Sequence, residues 1–244
     1  MLLATDGYTK LFDYIDKTEK TYNVTAILGY SSPTLDVDSE LSFHDKVDAV
    51  SLKKDIEDFL RNILGESFQT PPIYSAIKVK GKRLYKYARQ NQEVDIPVRK
   101  IIVDNTELLS VESNKVTFQI TVSKGTYIRS IVEELGKSLN TVAIVEKLSR
   151  TSIGNLDINH SKLNKNIETM DYKSNLQSLD WKEVINLPIL EINQEVLKSV
   201  QHGQLILSSM FSNQEKYILS INNDAVAIYK PFNEKYFKPD KVLL

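Results

Sequence analysis

The sequence has 244 residues, 41% of them hydrophobic and 26% charged, with 31 basic side chains against 32 acidic ones. That balance excludes a disordered or collagen-like chain and predicts a globular protein of one or two domains. A net charge of -1 promises no polyanion partner from global electrostatics, so any nucleic-acid surface must come from local asymmetry. Without cysteine there is no disulfide framework, thiolate zinc site or thiol nucleophile. His44, His160 and His202 are too scattered in sequence to suggest a local metal motif, although a fold could still assemble them. No apolar run approaches the roughly eighteen residues of a membrane span, and MLLATDGY lacks the basic start and apolar stretch of a signal peptide. A cytoplasmic protein without membrane contact is expected.

In residues 6–17, Tyr8, Leu11, Phe12 and Ile15 recur at helical spacing behind Asp6, which reads as an N-cap of a short helix. TYNVTAILGY reads as a strand with Tyr22, Val24, Ala26 and Leu28 on one face. Residues 31–48, with Pro33 and a run of acids, read as a surface loop. Behind Ser51, a stripe of Leu52, Ile56, Phe59, Leu60 and Ile63 predicts a helix, with Gly65 placed as its C-cap. From Thr70 the chain reads as an extended segment, a turn at Lys80 and Gly81, and a short helix carrying Leu84, Tyr87 and Ala88. Two strands follow. The second alternates Val116, Phe118, Ile120 and Val122, then runs into a helix with Ile128, Ile131, Val132, Leu135 and Leu139 inside, so a strand-to-helix junction is expected at KGTYIR. Residues 155–186 carry no strand signal and read as helical connections. From Leu187, LPILEI, a short helix ending near Gly203, then YILSI and AVAIYK separated by Asn222, Asn223 and Asp224 predict a small β domain.

Between Lys78 and Lys100 there are eight basic side chains against Glu93 and Asp95, a local excess of six. Interleaved Tyr74, Tyr85 and Tyr87 offer rings that can stack on bases, a combination suited to looped RNA; the competing reading is a solvated helix face with core tyrosines. GKS at Gly136–Ser138 is no phosphate-binding loop, because Ile131 stands where that motif needs glycine. Arginine is scarce, six against twenty-five lysines, which draws attention to Arg129 beside Tyr127 at the strand-to-helix junction. Its planar fork could hold a carboxylate or phosphate, or pair structurally with a surface acid.

Several segments, in this order, resemble the TruB family of bacterial tRNA pseudouridine synthases. YTKLFDYIDKTEKTYNVTAILG is similar to the family's ATK…DK.Y.V…LG stretch, PPIYSAIKVKGKRLYKYAR to its PP.YSA.K..G.R.Y..AR block, and SKGTYIRSIVEELGKSL to its SKGTYIR block. VEKLSRTSIG matches the following L.R...G element, and the C-terminal β unit with Gly203 and Gln204 resembles the appended PUA-like domain. The resemblance implies an α+β fold, a largely antiparallel sheet with flanking helices in residues 1–186 and a PUA-like RNA-binding domain in residues 187–244. It also implies isomerisation of a T-loop uridine in tRNA by base flipping. Tyr22 would stack on the flipped uracil and serve proton transfer. Arg129 would pair with a nucleophilic aspartate, and Tyr127 and Leu148 would wall the pocket. Tyr74, Lys78, Lys80, Lys82, Arg83 and Lys124 would meet the RNA. The T-arm stem-loop is the implied partner of a monomeric protein, and no metal or organic cofactor is implied.

The family's nucleophile lies in a GTLDP.A.G motif just before the ATK stretch, and that motif is not among these residues. Asp6, Asp13 and Asp16 are poor substitutes, because a misplacement of about 1 Å at a nucleophile costs about a hundredfold. A start set at an internal Met of a normal enzyme is expected over a natural, inactive tRNA-binding or tRNA-folding module. On either account the sheet should expose an edge, with poor solubility as the consequence.

Overall fold

Period-two alternation governs the larger of two units, as the computed structural model shows; it describes residues 4–15, 19–154, 156–157 and 179–244. Residues 19–157 form this unit, and residues 4–15 belong with 179–244 in the other. In chain order the larger unit contains β1 (Glu19–Leu28), β2 (Tyr30–Ser31), β3 (Ser42–Phe43), α1 (Lys53–Asn62), β4 (Gly65–Gln69), β5 (Lys78–Val79), β6 (Lys82–Arg83) and α2 (Leu84–Arg89). It continues with β7 (Arg99–Glu112), β8 (Lys115–Ser123), α3 (Ile128–Ser138), β9 (Ala143–Ile153) and β10 (Leu156–Asp157).

Six strands make one sheet in the order β10-β9-β1-β8-β7-β4, and every ladder in it is antiparallel. Val24, Ala26 and Leu28 of β1 lie against Phe118, Ile120 and Val116 of β8 on one face, which Ile56 and Leu60 of α1 and Ile131 and Leu135 of α3 cover. Each large side chain fully buried there contributes about 1.5–3 kcal/mol, so this face is where the fold is held. The opposite face is polar, with Thr21 bonded to Thr121 at 2.9 Å and Thr25 to Thr117 at 3.2 Å. α3 rides close to β9, because a Cβ on Gly136 would stand 2.5 Å from the Ala143 nitrogen.

Several expectations change. Gly65 does not cap α1; Ile63 occupies that place, and Gly65, with φ 91°, opens β4 as an edge strand. β4 carries Phe68, 74% exposed, outward. β9 was not expected as a strand. The acid-rich loop closes on itself through the small β2–β3 ribbon.

In the second unit, the sheet order β11-β13-β14-β15-β12 joins β11 (Ile189–Glu191), β12 (Ile206–Leu207), β13 (Tyr217–Ile221), β14 (Asp224–Pro231) and β15 (Tyr236–Val242). Helices α4 (Trp181–Val184) and α5 (Gln194–Gln201) accompany it. The Asn222–Asn223 turn adopts positive φ at both residues, as a two-residue hairpin loop requires. Residues Asp6–Asp13 form a 3-10 helix, not an α-helix, with Thr5 at the N-cap and Asp6 at φ 50°. The expected helical connections of residues 155–186 lie mostly outside the described residues, as does His160.

This first segment is fastened to β14 and β15. Tyr14 donates to Asp240 at 2.5 Å, Lys241 pairs with Asp13 at 3.1 Å, and Tyr8 accepts the Ala225 N–H at 3.3 Å. Asp240, with a side chain 14% exposed, also accepts from Lys216 at 2.9 Å and Lys230 at 2.5 Å. Burial alone would push its carboxyl up, but the hydrogen bonds from Lys230, Tyr14 and Lys216 outweigh it and hold the group well below the usual carboxylate range. Because the folded-state value is lowered, the stabilisation is complete above the unfolded value near 3.8 and is lost as pH falls below it. Asp240→Asn should therefore cost about 2 kcal/mol at neutral pH, and the penalty should shrink in acid below about pH 4; denaturant melts across pH check both.

Candidate active site

The chain leaves β8 through Lys124 and Gly125, the latter at φ 94°, and enters α3 at Tyr127 without any side-chain cap. The cap comes from elsewhere. Gln69, at the end of β4 and 2% exposed, accepts the Tyr127 N–H at 2.8 Å through Oε1 and donates through Nε2 to the Tyr127 carbonyl at 3.1 Å. Both backbone groups at the helix start are thus satisfied by one amide. One turn further, the buried Ser130 hydroxyl donates to the Thr70 carbonyl at 3.1 Å.

Between these two ties lies Arg129. Its Nη1 donates to the Thr34 carbonyl at 2.8 Å and its Nη2 to the Tyr74 carbonyl at 3.0 Å. The sequence left open a carboxylate, a phosphate or a surface acid as its partner; among the described residues the partners are two backbone carbonyls. The guanidinium has about five N–H donors, so capacity for a carboxylate remains. Two segments distant in sequence, the loop through Thr34 and the stretch Gln69–Tyr74, converge on the first turn of α3. That loop, read as plain surface, also carries Asp36, whose Oδ1 accepts the Asp38 N–H at 3.2 Å.

Tyr22 of β1 sits between Ile120 on β8 and Arg150 on β9, half-buried against the core. Leu148 lies opposite Val24, so it shares the face of Tyr22, yet it is 44% exposed. A leucine left open on the core-facing side of a sheet leaves apolar wall for a flat ligand.

The basic stretch divides by face. Lys78 and Arg83 are directly opposed across the β5–β6 ribbon, and Val79 and Lys82 form the next pair on the other face. Lys80 and Gly81, both at positive φ, make the turn. Lys78, Lys80, Arg83 and Lys124 are exposed. Like charges directly opposed on a ribbon are destabilising unless an anion lies between them. The tyrosines are less free than the sequence implied: Lys82 lies 4.3 Å from the Tyr87 ring centre and Arg89 5.4 Å from that of Tyr85. Ile73, Lys80, Tyr87, Glu93, Val94 and Asp95 line an open hollow of about 600 Å³ on this segment.

Among the described residues no group of three or more His, Asp or Glu side chains could hold a metal; His44 is hydrogen-bonded to Ser31 at 2.7 Å. No described helix is long and apolar enough to cross a membrane. Gln69 was missed by sequence reasoning, and its only signal was a polar residue ending a short strand before Pro71 and Pro72.

The family described as TruB family pseudouridylate synthase (N terminal domain) matches residues 1–128. A tRNA pseudouridine synthase B of Mycoplasmopsis pulmonis is 34% identical over 98% of this chain and 82% of its own length. That of Oceanobacillus iheyensis is also 34% identical, over 96% of this chain and 80% of its own. Among solved structures, a chain of a Cbf5-Nop10-Gar1 complex superposes with a TM-score of 0.61 at 20% identity, covering 99% of this chain and 71% of that one. A chain of an H/ACA RNP bound to a substrate RNA containing 2'-deoxyuridine has the same TM-score at 18% identity. The α+β fold with its antiparallel sheet and separate C-terminal β structure is therefore that of pseudouridine synthases, and the chain belongs to the TruB family of pseudouridylate synthases.

Proposed function

We propose that the chain serves the isomerisation of a T-loop uridine in tRNA to pseudouridine, as a monomeric cytoplasmic protein without metal or cofactor. In that reaction the bond from C1' to N1 breaks, the base turns, C5 joins C1', and the C5 proton is lost while N1 regains one. Tyr22 would stack on the extruded uracil and attend that proton, with Tyr127 and Leu148 as walls. Arg129 would hold the attacking carboxylate ionised and aimed. Tyr74, Lys78, Lys80, Arg83 and Lys124 would take the RNA backbone, with the C-terminal β unit as a second RNA surface.

The observation that carries the proposal is the fastening of the basic segment to the site helix. The stretch Gln69–Tyr74, which leads into the ribbon, is tied to α3 by Gln69, Arg129 and Ser130. RNA held on Lys78 and Arg83 is thereby registered against Tyr127 and Arg129. A T-arm hairpin should bind with an affinity that falls steeply with salt, and Lys78→Met should lower the slope of log K against log salt by about 0.7–0.9, one phosphate contact. A protein that ignores the hairpin at low salt would defeat the proposal.

A second reading needs only the cradle formed by these 244 residues. The same cradle without a nucleophile is a tRNA-binding or tRNA-folding module. Both readings require hairpin binding, and only conversion of uridine separates them.

A further inference from the structure

Lys82 belongs by composition with the basic residues around it, but its geometry sets it apart. Alternation along β6 places Lys82 with Val79 on the ribbon face away from Lys78 and Arg83. Its ammonium donates to the Gln90 side-chain carbonyl and, at 2.7 Å, to that of Gln92, and it stands 4.3 Å from the centre of the Tyr87 ring. Tyr87 in turn donates its hydroxyl to the Val79 carbonyl at 3.1 Å and accepts the Gln92 N–H on its own carbonyl at 3.0 Å. Lys82 is half-buried, whereas Lys78, Lys80 and Arg83 are exposed.

We infer that Lys82 is a positioning residue: it clasps the basic ribbon to α2 and the Gln90–Gln92 turn, and makes no phosphate contact. A ribbon of two two-residue strands is too small to hold its own shape. An ammonium that already has two amide acceptors and a ring face as partners would have to surrender them to reach a phosphate, and would gain little by the exchange. What the clasp supplies is order, which RNA would otherwise have to impose at a cost in affinity. This inference rests on the ribbon being the RNA-facing surface.

The test uses the whole chain, a T-arm hairpin and a salt series. Lys82→Met should weaken binding about fivefold, the effect of losing one exposed charge-assisted clasp, with the salt slope unchanged. The double variant Gln90→Leu with Gln92→Leu, which alters no charge, should reproduce that loss, and adding Lys82→Met to it should cost nothing further. Lys82→Arg, whose fork can reach both amides, should restore binding. In the free protein, Lys82→Met should speed amide hydrogen exchange across residues 78–92 and leave α3 unchanged. A slope reduced by about 0.7 in Lys82→Met, with the glutamine variant neutral, would make Lys82 an ordinary phosphate contact and overturn the inference. Unchanged exchange would overturn the clasp as well. Absence of hairpin binding by the unaltered chain would instead strike the RNA reading, and the exchange result would still decide the clasp.

Discussion

Arg129→Lys, placed in a polypeptide that also carries the family's GTLDP motif, is expected to lower turnover on a T-arm hairpin about 10²- to 10³-fold while weakening binding less than about fivefold. The guanidinium is asked to do two things at once. Two of its N–H groups hold the Thr34 and Tyr74 carbonyls at 2.8 and 3.0 Å, and on the proposed role its remaining donors take the carboxylate. A lysine ammonium is a point charge on a flexible stem and cannot bridge two carbonyls while presenting a planar fork to a third group. Charge is conserved in the substitution, so long-range attraction of RNA survives it. The aim of the nucleophile is lost. Single-turnover rates set against hairpin affinity separate the two effects, and equal losses in both would make Arg129 an RNA-positioning residue only.

Much of the frame was legible because it obeys simple periods. The alternation of Val24, Ala26 and Leu28 and of Val116, Phe118, Ile120 and Val122 named the faces that the structure buries. The stripe on α3 and the Lys80–Gly81 turn were equally plain. β9 was not, because only its first residues, Ala143 to Val145, are buried, while Lys147 to Arg150 are exposed and break the alternation. β4 hid for a similar reason, as an edge strand exposed along most of its length. The site itself was half legible. Arg129, Tyr127 and Tyr22 stood out by residue type and by the family they resemble, but their supports could not be read locally. Gln69 acquires its role from a backbone 58 residues away, and Asp240 from Tyr14, 226 residues away. Lys82 shows the converse: composition counted it with its neighbours, and strand parity set it on the other face of the ribbon.

The largest effect expected is the appearance of activity when a carboxylate is supplied. The 244 residues provide a basic ribbon, a helix start with Arg129 and an apolar wall at Leu148, but no GTLDP aspartate. Nucleophilic catalysis depends on an oxygen held near the reacting carbon, and loss of such a group typically removes several orders of magnitude of rate. Asp6 and Asp13 lie in the 3-10 helix that belongs with the C-terminal unit, and Asp13 is already paired with Lys241.

The decisive measurement is pseudouridine formation in a T-arm hairpin, by the 244-residue polypeptide and by the same polypeptide preceded by the GTLDP-bearing segment of a relative. We expect both to bind the hairpin, no conversion by the first, and conversion by the second that disappears when the supplied aspartate becomes asparagine. Conversion by the 244 residues alone, abolished by Asp36→Asn two residues from the carbonyl that Arg129 holds, would put the nucleophile within this chain and contradict the account.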